Sequence, residues 1–223
     1  LLVIYAARRM VEMERVPRKN QSINPIEDFR EVFRRGIATK RWLLFLATNY
    51  FTMSMINPFR YPFAHEVKGA GPFVIGGITT AMILAEALFA APLGRVTDRI
   101  GRKKMFYILT PIYCLSYVIF VLAPSQEWLL LAGFLMGFRM LSYVAYGAMT
   151  PELVPRDCVG RWRGLIGLCL GLASIPGSIV GGLIWERLGP MWVFIIPIFV
   201  ELFIRMPLLY TVPETLHNSR MDA

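Results

Sequence analysis

Six stretches of the chain are almost wholly apolar, and short polar breaks separate most of them. They are Trp42–Ala64, Phe73–Leu93, Met105–Ala123, Trp128–Thr150, Leu165–Trp185 and Met191–Val212. Each has the roughly 17–25 residues that a helix needs to cross a ~30 Å hydrocarbon core. Backbone groups in lipid must be satisfied within the segment, so the six are predicted as helices rather than open strands. The connections after the first, third and fifth are short, which sets neighbouring helices antiparallel.

The pattern changes before the first stretch. Asn24–Pro25 reads as the N-cap and first residue of a helix. Ile26, Phe29, Val32 and Phe33 fall on one face, with Glu27, Asp28, Arg30, Glu31 and Arg34 around the rest. Such a helix lies flat at a membrane interface, or is an ordinary solvated amphipathic helix. Residues 10–23 form a charged linker. Leu1–Ala7 is too short to span and is followed by Arg8–Arg9, so it reads as the cytoplasmic end of an earlier span. The chain therefore divides into 1–40, a bundle over 41–212 and a tail over 213–223.

Composition agrees with a bilayer as solvent. Of 223 residues, 56% are apolar and 17% charged, against about 25% charged in soluble domains. The net charge of +9 would suggest nucleic acid in a soluble protein. Its distribution says otherwise. Nineteen Lys and Arg lie before the first stretch, in 94–104, in 151–164 and after 212, while the alternate breaks hold only Lys68 and Arg187. The positive-inside rule then puts both termini in the cytoplasm. Lipid replaces nucleic acid as the expected partner. Three cysteines and two histidines have no metal-ligand spacing, and no cofactor is expected.

One segment carries a specific pattern: Gly94-Arg-Val-Thr-Asp98-Arg99-Ile-Gly101-Arg102-Lys103. It resembles the signature loop of the major facilitator superfamily, G-x-x-x-D-R-x-G-R-[RK], and lies between the second and third apolar stretches as that family's loop does. Gly94 would allow close helix approach, and Gly101 a tight turn. Glu152-Leu-Val-Pro155 with Gly160-Arg161 and Arg163-Gly164 resembles the family's loop between fourth and fifth helices. Pro176-Gly177 with Gly181-Gly182 is similar to an antiporter helix pattern with the Gly-Pro order reversed. Val212-Pro213-Glu214-Thr215 resembles the motif that closes a half. The resemblance implies a twelve-helix fold of two six-helix halves. This chain would supply one, by its preceding linker the C-terminal one, with an N-terminal half as partner.

The resemblance further implies that the first and fourth helices line a central cavity. Asn49, Met53, Asn57, Arg60 and Tyr61 recur at helical spacing on the first, and Pro58 can break its hydrogen-bond ladder. Arg139, Tyr143 and Tyr146 lie along the fourth. A charge at mid-bilayer costs at least ~2.5–3.5 kcal/mol on insertion scales. Arg139 is therefore read as binding an anionic group, controlling a nearby carboxyl's proton, or forming a structural salt bridge. Glu86 would be a buried carboxyl suited to reversible protonation. Glu201 and Arg205, four apart, share a face and form a structural pair, with a cross-helix contact from Glu201 to Arg139 open to them. Gly133/Gly137, Gly167/Gly171 and Gly177/Gly181 would pack helices closely.

The implied function is a secondary transporter of a small solute in the plasma membrane, working by alternating access, with proton coupling through Glu86 as an option. Asp98 and Arg102 would hold the cytoplasmic sides of the halves together. The alternative is a stand-alone six-helix scaffold or binding protein. No Ser/His/Asp set, paired catalytic carboxylates or phosphate loop points to an enzyme.

Overall fold

Proline and glycine set the breaks between helices in the computed structural model. It describes the backbone of residues 25–214, and the side chains of that range except those of 25–29, 98, 144, 145, 148 and 156. The expected earlier span at Leu1–Ala7, the 10–23 linker, the Asn24 cap, the residues of the tail from 215 on and the Asp98 side chain lie outside what is described.

Every regular element among the described residues is helical. Helix α1 spans Pro25–Arg35, with Arg34 and Arg35 in its last turn, where cations complement the helix dipole. Helix α2 spans Thr39–Ile56. It runs on through a 3-10 turn at Asn57–Phe59, a single turn at Arg60–Pro62 and a π turn at Phe63–Val67. Pro58 and Pro62 lack the amide that would continue the α ladder, so the helix changes type at each. Then follow α3 (Pro72–Ile100), α4 (Arg102–Leu122), α5 (Gln126–Glu152) and α6 (Val159–Arg187). Helix α7 (Trp192–Val200) passes through a π turn, Glu201–Arg205, into α8 (Met206–Tyr210).

Among the described residues, four helical stretches are long and apolar enough to cross a membrane: Pro72–Thr97, Arg102–Leu122, Val159–Arg187 and Trp192–Tyr210. Helix α2 with its continuation, and α5, occupy the first and fourth predicted stretches. The segment 94–100, predicted as loop, is instead the last two turns of α3. Gly94 is the only poor helix former in it, and one glycine costs about 1 kcal/mol. Gly101, at φ 104°, makes the break in one residue, because a side chain strains that conformation.

Helix α2 packs along α6, and α5 packs along both α3 and α4. Glycines set the first two contacts. A Cβ at Gly133 would lie 2.8 Å from the Ile78 carbonyl, and one at Gly137 would overlap the Met82 carbonyl. On α6, a Cβ at Gly177 would overlap the Phe51 carbonyl, and one at Gly181 would lie 2.5 Å from that of Met55. The third predicted pair is a correction. A Cβ at Gly167 or Gly171 would meet nothing within 4 Å. Both fall on the outward face of α6, beside exposed Leu168, Leu172 and Ile175.

Three apolar clusters result among the described residues, the smallest of them Met105, Leu109 and Leu141 between α4 and α5. Of the two larger, one gathers Met53, Phe63, Ile78, Met82, Tyr117, Phe120 and Phe194. The other gathers Trp42, Phe45, Phe106, Tyr146, Trp162 and Leu209, and α1 docks Val32 into it. Between Leu46 and Met53 on α2, between Met136 and Tyr143 on α5, and between Phe194 and Leu209 on the last helix lies a polar layer.

Candidate functional site

Asn49, Arg139, Glu201 and Arg205 form that layer. Their relative exposures are 0%, 4%, 1% and 0%. Arg139 Nη1 donates to Glu201 Oε1 at 3.2 Å, and its Nη2 donates to the Asn49 side-chain carbonyl. Arg205 donates to the other Glu201 oxygen and, at 2.5 Å, to the Tyr146 hydroxyl. The Arg139 guanidinium stands 4.5 Å over the Tyr113 ring, and that of Arg205 4.4 Å over Phe45. Desolvating a charge is costly unless it is paired and hydrogen-bonded. One carboxylate shared between two guanidiniums on facing helices meets that need. The arrangement is chemically a fastener: it joins α2, α5 and the last helix at one level.

This layer corrects part of the predicted cavity. Asn49 and Tyr146 are buried in it rather than open, Met53 is buried, and Tyr143 is half-buried. The five predicted α2 positions do not share one face. At about 100° per residue, Asn49, Met53 and Arg60 fall close together, while Asn57 and Tyr61 lie further round. Asn57 and Tyr61 are exposed accordingly. They continue a polar stripe made by exposed Tyr50, half-buried Ser54 and exposed His65. Tyr61 Oη and Thr79 Oγ1 share a hydrogen bond of 3.0 Å, tying α3 to the stripe.

Arg60 points from the stripe into the bundle and is 9% exposed. Its Nη2 donates to Asn57 Oδ1 at 2.9 Å and to the Tyr117 hydroxyl at 3.3 Å, and its Nη1 to the Met82 sulfur at 3.7 Å. Tyr117 and Tyr113 stack edge to face at 5.0 Å, so an aromatic pair bridges Arg60 and Arg139.

Glu86 is exposed in this chain. The positions α3 turns inward are Val74, Ile78, Met82 and Ala85, and Glu86 is one residue, about 100°, off that row. No described residue pairs with it.

The residues of the loop motifs converge on each other. Arg102 forms an ion pair with Glu152, so its partner lies within this chain. The Glu214 carboxylate accepts from the Lys103 amide at 3.1 Å, at the N-terminus of α4, where a negative charge is favoured. Gly101 leaves room for it, since a Cβ there would lie 3.0 Å from Glu214 Oε2. Lys103 Nζ in turn donates at 2.8 Å to the carbonyls of Tyr210 and Val212, at the end of the last helix. Arg99 is exposed. A Cβ at Gly94 would meet nothing within 4 Å, so the close approach predicted there is not found among the described residues. Helix α1 is held by Arg35–Asp157 at 2.7 Å and Arg161–Glu31 at 2.6 Å. The Arg35 guanidinium, with Arg161, holds Glu31 below the usual carboxylate range, and Arg35 does the same to Asp157. Glu152, Glu214 and Arg161 were visible in the motifs as quoted, whereas Tyr117 and Thr79 had no sequence signal.

A helical bundle with four membrane-length apolar helices among its described residues and these motifs defines a class, and comparison identifies it. A family model described as the Major Facilitator Superfamily matches residues 42–220. The chain belongs to the Major Facilitator Superfamily. It is 30% identical over 108 residues to the class E tetracycline resistance protein of Escherichia coli, covering 48% of this chain and 26% of that protein. It is 25% identical over 138 residues to multidrug resistance protein 3 of Bacillus subtilis, covering 58% and 26%. It is 23% identical over 188 residues to the putative multidrug resistance protein MdtD of Escherichia fergusonii, covering 82% and 40%. The chain therefore spans less than half the length of these relatives. The fold is similar to the crystal structure of the human organic anion transporter MFSD10 (TETRAN). That match has a TM-score of 0.58 at 16% identity, over 80% of this chain and 47% of the other.

Proposed function

We propose that this chain forms one six-helix half of a secondary transporter that moves a small organic solute by alternating access. Its curated relatives named for tetracycline and multidrug resistance favour an amphipathic solute. The observation that carries the reading is the α2 stripe. Tyr50, Ser54, Asn57, Tyr61 and His65 present polar groups along one face of the helix that fills the first predicted span. Polar side chains at membrane depth face a bundle interior or a water-filled path. The carboxylate of Glu86, exposed on the adjacent α3, belongs on such a path too and is the candidate proton carrier.

In this reading both termini are cytoplasmic and the membrane is the plasma membrane, with an N-terminal half as partner. Gly94, Asp98, Arg99, Gly101, Arg102 and Lys103 act at the cytoplasmic gate. Arg102 with Glu152, and Lys103 with Glu214, bind the ends of α4, α5 and the last helix into one rigid unit. The halves can then rock as bodies.

Tetracycline efflux from proteoliposomes holding the full-length protein tests this, with and without a pH gradient. The reading predicts gradient-driven movement that falls sharply in Glu86→Gln. No movement of tetracycline, ethidium or any solute in a screened set contradicts it, and a membrane scaffold then becomes the better reading. Movement that ignores the pH gradient removes Glu86 as the proton carrier.

A further inference from the structure

The bundle interior holds more positive charge than it pairs. Among the described residues the buried charged side chains are Arg60, Arg139, Glu201 and Arg205: three guanidiniums and one carboxylate. Glu201 is used by two of them. Arg60 is left with an amide oxygen, a phenol and a thioether as its acceptors. None is an anion, and a thioether accepts weakly. Its Nε is buried without an acceptor, as are those of Arg102, Arg139 and Arg205, so the lack of an anionic partner is what sets Arg60 apart.

Glu86 does not supply the missing charge. It lies four residues beyond Met82 on α3, on the outward side, and no described group pairs with it. A guanidinium withdrawn from water without a counter-charge is costly. At Arg60 that cost sits beside the polar stripe: Asn57 and Tyr61, one on each side of it in the chain, are both exposed there. Asn57 Oδ1 and the Tyr117 hydroxyl fix the guanidinium plane from two helices, while Tyr61 is held by Thr79 at the rim. A planar donor fixed in this way, with an N–H left over, matches carboxylate and phosphate geometry.

We propose that Arg60, with Asn57, Tyr61 and Tyr117, binds the carboxylate or phosphate of an anionic solute. This deepens the transport reading by giving the solute a charge, and it is tested by binding alone. A failed binding test therefore leaves the transport assay standing, and the reverse.

The test is thermal unfolding of the full-length protein in a non-ionic detergent free of anionic lipid. The probes are benzoate and inorganic phosphate, with benzamide as the uncharged counterpart of benzoate. At least one anion should raise the midpoint by about 2–4 °C, and benzamide should not. Arg60→Gln should abolish that rise. Asn57→Ala, which keeps the guanidinium but frees it, should reduce it. If Arg60→Gln does not fold, the anion-against-benzamide difference and Asn57→Ala decide. The proposal is overturned if neither anion exceeds benzamide, or if Arg60→Gln retains the full rise. It is equally overturned if only added phosphatidylglycerol stabilises the protein, which would make Arg60 a lipid-headgroup anchor.

Discussion

Arg139 and Arg60 are both buried, both contact a tyrosine of α4 and both hydrogen-bond an asparagine of α2, yet they live in opposite electrostatic settings. Arg139 meets Glu201, which also meets Arg205. Arg60 meets no carboxylate among the described residues. The first setting is closed on all sides by Phe45, Tyr113, Tyr146 and the last helix. The second lies beside exposed Asn57 and Tyr61. A charge neutralised within the fold does structural work. A charge left short, at the edge of a polar stripe, is available to a solute.

The comparison can be broken first at Glu201. Glu201→Gln leaves two guanidiniums buried without a carboxylate, and removing one partner of a buried pair costs about 3–5 kcal/mol. Denaturant titration in detergent should show that loss, and an unchanged midpoint would mean the layer is not a fastener. Tyr146→Phe removes only the hydroxyl that accepts from Arg205. Hydrogen bonds to charged groups contribute about 1.5–3 kcal/mol, so a smaller loss by the same titration is expected. Next come the helix contacts. Gly137→Ala puts a methyl into the Met82 carbonyl and should cost about 1–3 kcal/mol. Gly171→Ala meets open space and should stay within about 0.5 kcal/mol. Equal effects at the two glycines would contradict the packing described.

The smallest effect concerns α1, whose ion pairs are solvent-exposed. Glu31 and Asp157 are held below their ordinary range by Arg35, with Arg161 adding to Glu31. Their folded-state values are depressed, so the docking they support is present above the unfolded values near pH ~4. It is lost as pH falls through the depressed folded values. A spin label at position 30 should therefore gain mobility on acidification below about pH 4. Constant mobility would show that Val32 burial alone holds the helix.

Much of this was legible in the sequence. Apolar runs located the long helices because a span has to be long and uniform, and four of them are long and apolar enough to cross a membrane. The Gly101 turn followed from its motif, and the Glu201–Arg205 pair from four-residue spacing. Azimuth was far less legible. A run that is apolar all round does not say which side faces the bundle, so the sequence alone did not separate buried Ala85 from exposed Glu86. For the same reason Gly167 and Gly171 were expected to pack although their helix turns them outward. At α2 the prolines were visible, but Arg60 and Tyr61 were put on one face. They are adjacent residues, and only one can point at Tyr117. The signature segment was read as a loop from its charge, yet Arg, Thr and Asp are all tolerated in a helix until Gly101 ends it.

The central claim is that Glu201 holds the inner arginines while Arg60 is kept for the solute. The most direct measurement is the melting midpoint of Arg60→Gln beside that of Glu201→Gln, each with and without benzoate. The account predicts that Arg60→Gln melts close to the unmodified protein and loses the benzoate response, while Glu201→Gln melts far lower. An Arg60→Gln midpoint as low as that of Glu201→Gln, or one that still rises with benzoate, would contradict it.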